Sequence, residues 1–136
     1  MKFVLSISGG GIRGIIPAVL LVEFEKRLGV PIATVFDLIA GTSTGGIIAT
    51  MLTCPEKNRK PKYKTTQILE LYKEFGKEVF KTNPVRVTAT LGGLIGTKYS
   101  CKTIETLLKQ YLENCRLSES ITKLLIPAYQ ISGKPH

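Results

Sequence analysis

Histidine and aspartate occur once each in this chain, as His136 and Asp37, and no Asp-Gly pair occurs at all. The three cysteines, Cys54, Cys101 and Cys115, are odd in number and show no CxxC spacing. That excludes a disulfide framework and a zinc site, and reads as idle or buried thiols in a reducing compartment. No stretch reaches the 18 uncharged apolar residues of a membrane span. The apolar start, Phe3–Ile7, is five residues long with a serine inside it and is broken by glycines and Arg13, so it does not make a signal peptide. Repeats and low-complexity tracts are also lacking. The expectation is a soluble, cytoplasmic chain without a metal or other cofactor.

What is present is globular. Hydrophobic residues make up 43% of 136 residues, with 13 glycines and 7 prolines, enough for one domain over 1–136 with a real core. The formal net charge of +9 favours anionic partners, acidic lipid headgroups among them. The lysines are nevertheless dispersed. Their one dense patch, Lys57–Lys64, lies among prolines and reads as a solvated loop, so nucleic acid is not expected as a partner.

Periodicity gives alternating strands and helices. Residues 2–8 read as a short buried strand, followed by an apolar-rich helix from about Gly14 to Leu28 with Ile16, Val19, Leu20 and Phe24 at helical spacing. Pro17 is acceptable in its first turn, and Gly29 and Pro31 end it. Residues 35–40 read as a second strand, and Ile47, Ile48, Met51 and Leu52 as the buried side of the next helix. Thr65 or Thr66 can cap a helix carrying Ile68, Tyr72, Phe75 and Val79. Residues 82–99 read as loop. Ser100 caps a helix with Ile104, Leu107, Leu108, Tyr111 and Leu112 in one stripe. Leu124–Ile131 reads as a last strand, which Pro127 demotes to an edge or bulge. The fold class is α/β with a mostly parallel sheet.

Two glycine motifs follow the first two strands. In "SISGGGIRGIIP", Gly9, Gly11 and Gly14 satisfy G-x-G-x-x-G between strand and helix. Such a loop can cradle a dinucleotide pyrophosphate, or it can hold N–H groups against the oxyanion of an acyl-transfer intermediate. The dinucleotide reading wants an acidic residue about 20 positions on, at a strand end. Glu23 and Glu25 fall inside the first helix and Asp37 comes too early in its strand, so that module is the weaker alternative. The second motif, Gly41-Thr42-Ser43-Thr44-Gly45, is a G-x-S-x-G with strand before and helix after. That context makes Ser43 a candidate nucleophile on a strained elbow, with a helix N-terminus beside it. The bland alternative is a tight glycine turn whose serine caps the helix. A serine also needs a base. His136 is terminal, where order is poor, and Asp37 lies six residues before Ser43, so the nucleophile stands without an evident partner.

"LSISGGGIRGIIPAVLLVEFE" followed by "FDLIAGTSTGG" resembles the N-terminal half of the patatin-like phospholipases. The likeness extends through "PEKNRKPKY" and "LLIPAYQIS" and so covers essentially the whole chain. The resemblance implies a three-layer α/β/α fold and a lipid acyl hydrolase of phospholipase A type that uses a Ser–Asp dyad without histidine. It makes Ser43 the nucleophile on the elbow Gly41, Thr42, Thr44 and Gly45. It makes Gly9–Gly14, with Ile12 and Arg13, the oxyanion loop, with Gly10 and Gly11 the direct donors, each supplying about 3–4 kcal/mol of transition-state stabilisation. Arg13 would fix the loop or attract the phosphate of a phospholipid. Two departures stand out. Ser8 replaces the aspartate that commonly precedes the glycines, and the family's downstream Asp-Gly-Gly or Asp-Gly-Ala motif is not reached before His136. The expectation is therefore a partial domain with an incomplete sheet, inactive or very weak alone. The alternative is a non-catalytic fragment that binds anionic lipid surfaces.

Overall fold

The computed structural model describes residues 1–79, 101–113 and 115–128. Three short strands form one parallel sheet: β1 (Val4–Ile7), β2 (Leu38–Gly41) and β3 (Lys123–Leu125), in that spatial order. The middle strand pairs Leu38–Gly41 with Val4–Ile7 on one side and Leu38–Ala40 with Lys123–Leu125 on the other. The middle strand buries Ile39, 0% exposed, and Gly41 on one face, while Leu38 and Ala40 on the other are half-buried. Helices α1 (Ile15–Leu28) and α2 (Ile32–Val35) connect β1 to β2. Helices α3 (Thr44–Thr53), α4 (Thr65–Val79) and α5 (Cys101–Leu112) lie between β2 and β3 in the chain. The core joins Ile7 and Ile39 from the sheet to Ile48, Ala49, Met51 and Leu52 of α3, Ala18 and Leu21 of α1, and Ile68 and Tyr72 of α4. No helix among the described residues is long and apolar enough to cross a membrane.

Several local expectations shift. The second strand starts at Leu38, because Pro31 opens a helical turn instead: both the Thr34 N–H and its hydroxyl donate to the Pro31 carbonyl, at 3.0 and 2.7 Å. This turn buries Ile32 and Ala33. In α1 the residues Ile16, Val19, Leu20 and Phe24 are each half or more exposed, and the helix buries Ala18 and Leu21. The small Ala18 side lets α1 pack closely on α4. Thr65 begins α4 as its first helical residue rather than capping it. Its N–H donates to Glu25 Oε2 of α1 at 2.9 Å, while Gln67 Oε1 accepts the Lys64 N–H at 2.9 Å, half of a capping box. The strand placed at Leu124–Ile131 is paired from Lys123 to Leu125; residues 129–131 lie outside the described residues, as do 82–99, Ser100 and His136.

The basic segment after α3 is a tight excursion. Pro55 and Pro61 form an antiparallel bridge, the Glu56 N–H donates to the Lys60 carbonyl at 2.7 Å, and Glu56 to Lys60 are exposed between them. Cys54, 1% exposed, ends α3 beneath this loop, with the Cys115 thiol beside it. Burial, then its contacts with Cys115, push the Cys54 thiol up to about 12.

Candidate active site

The carboxyl ends of β1 and β2 lie side by side, and both glycine motifs leave from there. This edge is where parallel α/β sheets bind ligands. β2 ends at Gly41, and Ser43 turns the chain into α3 with φ 51° and ψ −125°, a conformation side-chain-bearing residues rarely hold. The turn is closed by the Gly45 N–H donating to the Thr42 carbonyl at 2.9 Å. The Gly46 and Ile47 N–H groups donate to the Ser43 carbonyl at 2.9 and 3.3 Å. Ser43 is exposed, and among the described residues its hydroxyl makes no hydrogen bond. It does not cap α3.

The flanking glycines are needed by close approach. A Cβ on Gly45 would overlap the Ile7 carbonyl oxygen at the end of β1. One on Gly41 would meet the Gly45 carbonyl carbon at 2.5 Å and the Gly46 nitrogen at 2.7 Å. The elbow is thus folded on itself and pressed against the neighbouring strand. Ile126, just past β3, comes to the same edge, within 3.3 Å of where a Gly46 Cβ would be.

The glycine loop is seated directly on this elbow. A Cβ on Gly9 would lie 2.8 Å from Ser43 Cβ, so only hydrogen fits between them. The Gly9 N–H donates to Thr42 Oγ1 at 3.1 Å and the Thr42 N–H to the Ile7 carbonyl at 3.3 Å, tying loop and elbow reciprocally. Gly10 (φ 147°) and Gly11 (φ 60°) carry the chain into a single 3-10 turn over Gly11–Gly14, closed by the Arg13 N–H donating to the Gly10 carbonyl at 3.3 Å. Among the described residues the N–H groups of Gly10, Gly11 and Ile12 have no acceptor. The side chains of Ile12 and Arg13 are exposed, whereas Gly14 is buried. Thr44 Oγ1 donates to the Gly11 carbonyl at 3.3 Å, and the Tyr72 hydroxyl from α4 donates to the same oxygen. All eleven residues singled out from the sequence therefore meet at one sheet edge. Tyr72 was legible there only as part of an apolar stripe; the one hint was that a buried tyrosine hydroxyl needs a partner.

Asp37 is not part of this cluster. It precedes β2, on the order of 15 Å from Ser43 along the strand. Its carboxylate accepts Lys2 Nζ at 2.8 Å and the Phe3 N–H at 2.9 Å. Lys2 first, and then the Phe3 N–H, hold it below the usual carboxylate range. A shallow groove of about 620 Å³ opens at that opposite end, between Phe36, Asp37, Ser120 and Thr122, away from both glycine motifs. No group of three or more His, Cys, Asp or Glu among the described residues could hold a metal ion.

The molecule is thus an α/β protein whose parallel sheet carries, at its carboxyl edge, a serine on a glycine-flanked strand–helix turn faced by a second glycine loop. The family model for patatin-like phospholipase matches residues 5–134, and the chain belongs to that family. It is 39% identical to patatin-like protein 2 of Oryza sativa over 142 aligned residues, which take in 98% of this chain and 35% of that protein. It is 37% identical to patatin-like protein 2 of Arabidopsis thaliana, over 94% of the chain and 34% of the relative. With patatin-17 of Solanum cardiophyllum it shares 36% identity, over 99% and 35%. The chain spans about a third of the length of these curated relatives.

Proposed function

We propose that residues 1–136 carry the nucleophile and oxyanion hole of a lipid acyl hydrolase that cleaves phospholipid or other acyl-lipid esters by a Ser–Asp dyad, as one part of a patatin-like domain. The observation that carries this reading is the seating of Gly9 against Ser43. It sets three acceptor-free N–H groups, of Gly10, Gly11 and Ile12, beside an exposed serine.

In the proposed reaction Ser43 Oγ attacks the ester carbonyl. The carbonyl oxygen gains negative charge, and the Gly10 and Gly11 N–H groups stabilise it, with Arg13 available to a phosphate. Collapse expels the alcohol and leaves an acyl-serine, which water then hydrolyses. Both steps need a proton acceptor, and Asp37 is tied to Lys2 and Phe3 at the far end of β2. The dyad aspartate is therefore assigned outside these 136 residues, and the chain by itself is weak or inactive. Fluorophosphonate labelling tests both halves. We expect slow labelling that Ser43→Ala abolishes, with ester turnover at least about 10³-fold below that of an intact hydrolase. No Ser43-dependent labelling overturns the nucleophile; rapid labelling with turnover overturns the missing base.

A second reading, adsorption to anionic lipid surfaces, draws on the charge of +9 and on the exposed Ile16, Leu20 and Phe24 of α1 near Arg13 and Arg27. Co-sedimentation with anionic but not neutral vesicles, weakening with salt, is the outcome it requires.

A further inference from the structure

We propose that Tyr72, assisted by Thr44, is a positioning residue for the Gly9–Gly14 loop, fixing the Gly11 carbonyl so that the Gly10, Gly11 and Ile12 N–H groups stay turned to the side of the reacting oxygen. The proposal rests on the reading of that loop as an oxyanion hole. A loop of consecutive glycines has little conformational preference of its own, and left alone it samples many states. Here one oxygen in its middle, that of Gly11, accepts from two hydroxyls on two different helices: Tyr72 of α4 and Thr44 in the first turn of α3. Tyr72 is 4% exposed and belongs to the core, so its hydroxyl is fixed by packing around its ring. Gly14 closes the arrangement, because a Cβ there would lie 2.8 Å from Tyr72 Cζ and 3.1 Å from Thr44 Oγ1.

The peptide plane transmits the effect. In a trans peptide C=O and N–H point in opposite directions. With the Gly11 oxygen drawn inward by the two hydroxyls, the Ile12 N–H of the same plane faces away from them. Rotation of that plane would aim a carbonyl, not an N–H, at a developing negative charge. Thr44 also immediately follows Ser43, so the loop is indexed to the element that holds the nucleophile.

The test compares wild type, Tyr72→Phe, Thr44→Val and Thr44→Ser in the full chain, by two readouts. The first is backbone order by ¹⁵N relaxation, which needs no reactivity. Order parameters at Gly10, Gly11 and Ile12 are expected near the rigid value of about 0.85 in wild type and below about 0.6 in Tyr72→Phe. Thr44→Val should show a smaller loss and Thr44→Ser none. The second is fluorophosphonate labelling of Ser43, where Tyr72→Phe should lower the maximal rate about tenfold while leaving the half-saturating probe concentration unchanged. Unchanged order parameters in Tyr72→Phe overturn the proposal, even if the melting temperature falls, since that alone marks a packing role. So does an unchanged labelling rate where wild type labels. If wild type does not label at Ser43, the nucleophile reading falls instead, and the relaxation data still decide the positioning.

Discussion

Ser43 holds a backbone conformation that costs on the order of 1–3 kcal/mol for a residue with a side chain. In an ordinary helix or strand glycine is less stable than alanine by roughly 0.5–1 kcal/mol. At this position the order should invert: Ser43→Gly should be about 1 kcal/mol more stable in urea unfolding than Ser43→Ala. A regular ranking would show that the elbow relaxes. Gly45→Ala needs displacement of α3 from β1 and should cost about 3 kcal/mol or more, near the upper end for single changes. At the other end of β2, the Asp37 carboxylate is held below its usual range by Lys2 and the Phe3 N–H. A lowered folded value means stability that is full above the unfolded carboxylate range and lost as pH falls through the folded one. Asp37→Asn should therefore melt lower than wild type at pH 7, and the two should converge as both are acidified below that range. Serine and glycines were legible in sequence because turn chemistry is local. Tyr72 was not, because its partner is 61 positions away and its stripe reads as core.

At the scale of elements, the reading went astray where tertiary packing overrode local pattern. The Val35–Ala40 run has the composition of a strand, yet Pro31 and Thr34 build a helical turn at its start and move the pairing to Leu38. The α1 stripe of Ile16, Leu20 and Phe24 follows the helical period, but the contact with α4 uses the side bearing Ala18 and Leu21. Periodicity identifies a helix without saying which of its apolar sides finds a neighbour in these residues. Helix α3 was read well in Ile48, Met51 and Leu52, all buried, because it is apolar nearly all round; Ile47 of the expected side is only partly buried, and Ala49 is buried as well. Its last cap, Cys54, has its thiol pushed up to about 12. At pH 8 only about one part in ten thousand is thiolate, so iodoacetamide should leave Cys54 unmodified in the folded chain and alkylate it once urea is added. A raised value stabilises below the unfolded thiol range. Stability should therefore fall as pH rises from about 9 towards about 12.

For the molecule as a whole, the parallel sheet and its alternating helices were legible from the sequence, as was the sheet edge from which both glycine motifs leave. What covers the outer strands was not. Val4 on β1 and Leu125 on β3 are more than half exposed, alongside Phe3 and the outer side of α1. Apolar side chains on edge strands invite pairing with another chain. We expect concentration-dependent self-association in sedimentation velocity, relieved by Val4→Lys with Leu125→Lys. Unchanged sedimentation of that double variant would place the contact elsewhere. The central position of β2 bears equally on how the chain is made. Ile39 finds Leu5 34 positions back but Leu124 85 positions ahead, and closing the longer loop costs about 0.8 kcal/mol more in chain entropy. Pairing on the β3 side must therefore wait until residues 123–125 have left the ribosome. Until then the backbone N–H and C=O groups along that edge of β2, the strand that leads into the elbow, stand without their β3 partners.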